Sequence, residues 1–168
     1  MTLRRILYIA LLFVLQVIAN DYLNLGPYIY VCFLPVMIMI APVERSSIQS
    51  MLIAFGLGLL VDLLSDGVLG LNAAAGVFMA GAMQFIFIIT VNEENYDRKD
   101  CPTLYDVGTR KFLRFLIFSM LVYFAAYVFL DCIGTRTFIF FLERLAATVA
   151  VDILFAIIVN IAFFRRID

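Results

Sequence analysis

From Leu69 to Val91 the chain runs through 23 residues without one charged side chain. A helix of that length rises far enough, at ~1.5 Å per residue, to cross the ~30 Å hydrocarbon core of a bilayer. Five further apolar runs, at about 3–19, 28–41, 48–64, 112–130 and 138–164, are continuous rather than alternating, which argues for helices and against a β-barrel. Hydrophobic residues fill 65% of the 168 positions and charged residues 15%, against about a quarter in soluble domains. The expected fold is therefore an all-α membrane protein, a six-transmembrane-helix bundle forming one domain over residues 1–168. The run at 28–41 is short, contains Pro35 and closes at Pro42, so a kinked or incompletely spanning helix is expected there.

Charge is distributed unevenly about this topology. Arg4, Arg5, Arg45, Arg98, Lys99, Arg110, Lys111, Arg114, Arg165 and Arg166 fall on one side of six spans, and Arg136 stands on the other. The positive-inside rule then places both termini in the cytoplasm. Arg4-Arg5 before an apolar run also has the form of a secretory signal, but Val17-Ile18-Ala19 is a poor cleavage site, and the first segment is expected to be retained. The polar stretch 92–111 becomes a cytoplasmic loop. Its Glu93, Glu94, Asp97, Asp100 and Asp106 oppose Arg98, Lys99, Arg110 and Lys111, so it reads as a solvated connector, with docking of a cytosolic partner as the alternative. The outer connections, 20–27, 65–67 and 131–137, are brief.

Much chemistry is excluded by composition. There is no histidine, and Cys32, Cys101 and Cys132 form no CxxC pair, so a zinc site or a disulfide framework is not expected. Ser-His catalysis is unavailable, and the two lysines, Lys99 and Lys111, both sit in the loop, away from any membrane serine. No phosphate-binding or dinucleotide motif occurs. The expectation is a protein that is not an enzyme, carries no cofactor or metal, and has the lipid bilayer and other membrane proteins, not nucleic acid, as partners.

The polar residues inside apolar runs are then the candidates. Asp62 follows Ala54 and Gly58 at four-residue spacing, giving one helix face two small residues and a carboxylate that should pack against protein. Two roles stay open for Asp62: pinning the break at 65–70 by accepting backbone hydrogen bonds, or contacting a partner or ligand. In the last run Arg144, Thr148, Asp152, Ala156 and Asn160 recur every four residues as a gently wrapping seam. Asp152 lies deepest, where an unpaired charge costs ~2.5–3.5 kcal/mol on an insertion scale, so it should be neutral or paired. Arg144 is the expected counter-ion for Asp152 or, across helices, for Asp62. Gln16 with Asn20, and Gly76 with Ala80 and Gln84, read as interhelical packing stripes. Tyr123 and Tyr127, with Tyr28 and Tyr30, fit an outer interfacial belt.

The stretch Gly56-Leu-Gly58-Leu-Leu-Val-Asp62-Leu-Leu-Ser-Asp66-Gly67-Val-Leu-Gly70-Leu-Asn72, in a short chain of this topology, resembles the MreD family of bacterial rod shape-determining membrane proteins. The family's Gly-rich run, Asp, short break and Leu-Gly start of the next helix would fall on Gly58, Asp62, Gly70 and Asn72; Leu15-Gln16 and Asn20 also resemble its first helix. The resemblance implies a non-enzymatic scaffold of the cell-wall elongation (rod) complex in the bacterial cytoplasmic (inner) membrane. Its implied partners are an MreC-like single-span membrane protein and, through it or directly, MreB, RodA and its transpeptidase. It also implies a fold similar to the S components of energy-coupling factor transporters, so the alternative is a substrate-binding component of a vitamin-type uptake transporter. Those components dock through an Ala-x-x-x-Ala pattern, whereas the first run here has only Ala10 and Ala19. Gly58, Asp62, Gly70, Asn72, Arg144 and Asp152 form the candidate partner-binding or intramembrane polar site.

Overall fold

The computed structural model describes residues 3–22, 29–40, 47–64, 68–90, 108–132 and 138–164. Most of the 92–111 loop, the greater part of each outer connection, and Arg45, Arg98, Lys99, Arg136, Arg165 and Arg166 lie outside the described residues. Within them the chain forms six helices and no strand: α1 (Leu3–Tyr22), α2 (Leu34–Ile40), α3 (Ser47–Leu64), α4 (Leu71–Thr90), α5 (Thr109–Cys132) and α6 (Phe138–Phe164). The fold is all-α. Two helices, α4 and α5, are long and apolar enough to span a membrane, and α1 and α3 contain the shorter apolar stretches Ile6–Asn20 and Ile48–Leu64.

The seven residues of α2 are all buried, and this short helix touches α1, α3, α4 and α5. Around it, α3 packs along α4, α4 against α5, and α5 against α6. Large apolar side chains stand exposed on the five outer helices, among them Leu7, Leu52, Phe85, Phe118 and Leu154, while α2 exposes none. Gln16, Asp62, Asn72, Thr148 and Asp152 are buried inside the bundle.

The run at 28–41, expected as a kinked or incompletely spanning helix, takes the second form, with only seven of its residues helical. Residues 29–33 are non-helical, and α2 begins only at Leu34. Pro35 is the physical reason. In the first helical turn its missing N–H is not needed, but a helix continued backwards would drive its ring into the carbonyl of Val31. Pro35 therefore opens α2 rather than interrupting it.

The α3–α4 contact is close because Gly58 has no side chain. A Cβ placed there would lie 2.4 Å from Ala73 Cα and 2.6 Å from Ala73 N, so the two backbones meet directly. Ala54 and Asp62, one turn either way, are buried on the same face, as their spacing predicts. Gly76 continues the contact along α4, where a Cβ would lie 3.3 Å from the Ala54 carbonyl oxygen.

Candidate functional site

The start of α4 is held by a carboxylate from another helix. Gly70 precedes α4 with φ at +90° and has no side chain to cap it. Asp62 supplies the missing acceptor from α3. Its Oδ2 accepts from the backbone N–H groups of Gly70 (3.0 Å) and Ala73 (3.1 Å), and its Oδ1 from the backbone N–H of Asn72 (3.1 Å). The remaining donor, Leu71 N, bonds to the Val68 carbonyl at 3.3 Å, and the Gly70 carbonyl accepts the first helical bond, from Ala74. Every backbone donor from Gly70 to Ala73 is thus satisfied. A negative charge at this end also complements the helix dipole. Both oxygens of Asp62, 2% exposed, are committed to the joint, which favours the pinning role over a ligand contact.

Asn72 extends the joint inward. Its Nδ2 donates to Asp62 Oδ1 (2.8 Å) and to Tyr30 Oη (3.1 Å). With the amide nitrogen facing the carboxylate, Asn72 Oδ1 faces α5 and accepts from Tyr123 Oη at 2.6 Å. The Cys32 thiol lies 3.3 Å from Tyr123 Oη and 3.8 Å from Asn72 Oδ1. Tyr30 stacks on Tyr127 at 4.6 Å between centroids with the rings 3° from parallel.

Residues 29–33 form a strap, four of whose backbone groups are bonded to side chains of other helices. Gln16 of α1 clamps it with both ends of its amide: Phe33 N donates to Oε1 (2.5 Å), and Nε2 donates to the Val31 carbonyl (3.2 Å) and to Asn20 Oδ1 (3.0 Å). From the opposite side α6 accepts Tyr30 N on Thr148 Oγ1 (3.4 Å) and Cys32 N on Asp152 Oδ1 (3.2 Å). Irregular backbone away from water is tolerated only with such partners. The expected α6 seam is real: Thr148, Asp152 and Ala156 are buried in a row, and Arg144 is part-buried at its start. The Asn160 side chain lies outside what is described.

Two expectations are corrected. Arg144 pairs with Asp131 at the end of α5, not with Asp152 or Asp62. The loop-end position of Asp131 hid this pairing, because chain proximity across the α5–α6 turn mattered more than depth. Tyr123 and Tyr127 are not an interfacial belt but buried, at 0% and 8% exposure, with Tyr123 inside the polar network. Ser119, Tyr123 and Tyr127 recur every four residues and are all buried, a polar stripe on α5 that could have been recognised by the same spacing argument used for α6. The cavity between α2, α3 and α4, bordered by Ile38, Ser50, Ala54, Ala80 and Gln84, holds about 10 Å³, room for about one water.

Comparison with protein-family profiles, with curated proteins and with solved structures finds no match to this chain. The four positions of the Gly58, Asp62, Gly70 and Asn72 set are brought together in one joint, to which Arg144 does not belong; Asp152 reaches it through the strap.

Proposed function

We propose that this chain is a multi-pass scaffold of the bacterial cytoplasmic membrane, a six-helix bundle with both termini cytoplasmic that gathers proteins of cell-wall elongation on its outer helix faces. The observation that carries this reading is that buried polar side chains hold the chain's own helix start and strap while large apolar side chains stand exposed on the outer helices. Asp62, Asn72, Gln16 and Thr148 hold helix ends and the strap, while α1, α3, α4, α5 and α6 present large exposed apolar side chains. A protein so arranged acts on its surroundings through helix faces. The resemblance to the MreD family adds the partner class: an MreC-like single-span protein, with MreB, RodA and its transpeptidase reached through it or directly. The fold would then be similar to that of transporter S components without their uptake function. The Gly58–Asp62–Gly70–Asn72 joint supports the resemblance in one respect, since it gives a physical reason for those four residue types at that spacing.

The test is affinity purification of the tagged full chain from a bacterial membrane in mild detergent, with mass spectrometry of co-purifying proteins and small molecules. Recovery of a single-span MreC-like protein with wall synthases is expected. Recovery of an ATPase pair with a transmembrane coupling subunit, or of a stoichiometric metabolite, would replace the scaffold with a substrate-binding transporter component.

A further inference from the structure

Asp152 is the one acid of the α6 seam, 2% exposed, and its two oxygens are treated unequally. Oδ1 accepts from Cys32 N, whereas Oδ2 is buried and no described protein group donates to it. In a dry interior a carboxylate needs a donor or a positive charge at each oxygen. The expected counter-ion does not supply it, because Arg144 starts two turns earlier on α6, about 12 Å along the axis, and is paired with Asp131. The titratable group facing Asp152 is the Cys32 thiol of the strap, and beyond it stand Tyr123 of α5 and Tyr30. From α1 the same strap meets Gln16. None of these brings a positive charge.

The geometry also resembles a general solution for ions at membrane depth. A non-helical stretch presents backbone outside any helical ladder, against an acid on a neighbouring helix. Here the strap provides that backbone, Asp152 the acid, and Thr148, one turn before Asp152 on the same buried ridge, a hydroxyl oxygen. We propose that Asp152 Oδ2, with the strap against it, is a binding position for one small monovalent cation, a proton or an alkali-metal ion. A proton needs only Oδ2, whereas an alkali-metal ion draws in Thr148 Oγ1 and strap carbonyl oxygens as further ligands. In either case occupancy cancels the buried charge behind Cys32 and holds the strap, and with it the start of α2, against α6. Loss of the cation leaves a bare carboxylate there and loosens the strap.

The experiment is thermal unfolding of the purified full chain in detergent, read across about pH 6 to pH 9 in choline chloride and, at fixed pH, with sodium replacing choline. A ligand in about hundredfold excess over its Kd raises Tm by about 5–10 °C in a chain of this size. The wild type is expected to show a rise of that order with protons, which identifies a proton, or with sodium, which identifies an alkali-metal ion. Asp152→Asn, which keeps an acceptor for Cys32 N, is expected to lose the response. A wild-type Tm indifferent to both cations, or an equal response in Asp152→Asn, overturns the proposal. Hydrogen exchange at the Cys32 amide in the wild type keeps the test open should the variant fail to fold. Exchange corrected for its intrinsic pH dependence slows when the site is filled, and exchange unchanged by either cation overturns the proposal.

Discussion

Asn72 is bound to Asp62 twice, through its backbone N–H at 3.1 Å and its side-chain Nδ2 at 2.8 Å, so one carboxylate both starts α4 and orients the amide that reaches α5. Asp62→Asn leaves one acceptor where four donors converge and turns an NH2 group toward them. The expected loss is about 2–3 kcal/mol of stability, with Asp62→Leu losing more, since unsatisfied buried donors add to the missing cap. Both variants should lower Tm and the yield of monodisperse protein. An Asp62→Leu chain that unfolds at the wild-type temperature would show that α4 is held by something other than this cap.

Gly58 and Gly56 lie two residues apart on α3 and are predicted to respond oppositely. At Gly58 a Cβ would meet Ala73 backbone at 2.4 Å, which no rotamer change relieves, so Gly58→Ala must push α3 from α4 and is expected to cost about 1–3 kcal/mol. At Gly56 a Cβ meets nothing within 4 Å, and Gly56→Ala should gain about 0.5–1 kcal/mol from helix propensity. Parallel melting curves of the two variants settle the matter. Equal shifts would mean that the close approach of α3 and α4 is not maintained in solution.

The buried face of α3 was legible in the sequence because Ala54, Gly58 and Asp62 keep one spacing on one helix, and a small-small-acid ridge has no reason to face lipid. The α6 ridge was legible for the same reason. The strap was not: Pro35 signalled an interruption, but whether the chain turns helical before or after a proline depends on partners for the freed backbone groups, and those come from Gln16, Thr148 and Asp152 on distant helices. The partner of Arg144 is not legible from depth along an apolar run, because it is set by the neighbouring helix end that carries Asp131. Residue type alone points Tyr123 to an interface, whereas its position follows from a partner on α4 more than fifty residues away.

Tyr123 is wholly buried and donates to Asn72 Oδ1 at 2.6 Å. Tyr123→Phe removes the hydroxyl and keeps the ring, whose edge contact with Phe124 at 5.0 Å is unaffected in kind. It leaves Asn72 Oδ1 with the longer contacts to Cys32 and Tyr30, and the expected cost is about 1–2 kcal/mol, seen as a Tm lowered by roughly 2–8 °C. Asn72→Ala should cost more, and combining the two changes should cost less than their sum, because they remove one shared bond. Strict additivity would separate the two residues and remove the link between α4 and α5 from the account.

The Arg144–Asp131 pair ties the end of α5 to the beginning of α6, with side chains 16% and 29% exposed. Both side chains are partly buried, so removing one partner leaves the survivor partly desolvated without its counter-charge. Asp131→Asn and Arg144→Met are therefore each expected to destabilise the chain, and the double variant to recover part of the loss, with a coupling of about 1–3 kcal/mol between the two positions. The same cycle run for Arg144 and Asp152 should show coupling near zero, since Arg144 is paired with Asp131 and starts two turns from Asp152, whose Oδ1 accepts from Cys32 N. Coupling in the second cycle as large as in the first would restore Arg144 as the counter-ion of Asp152, and it would also remove the need for a bound cation at Oδ2.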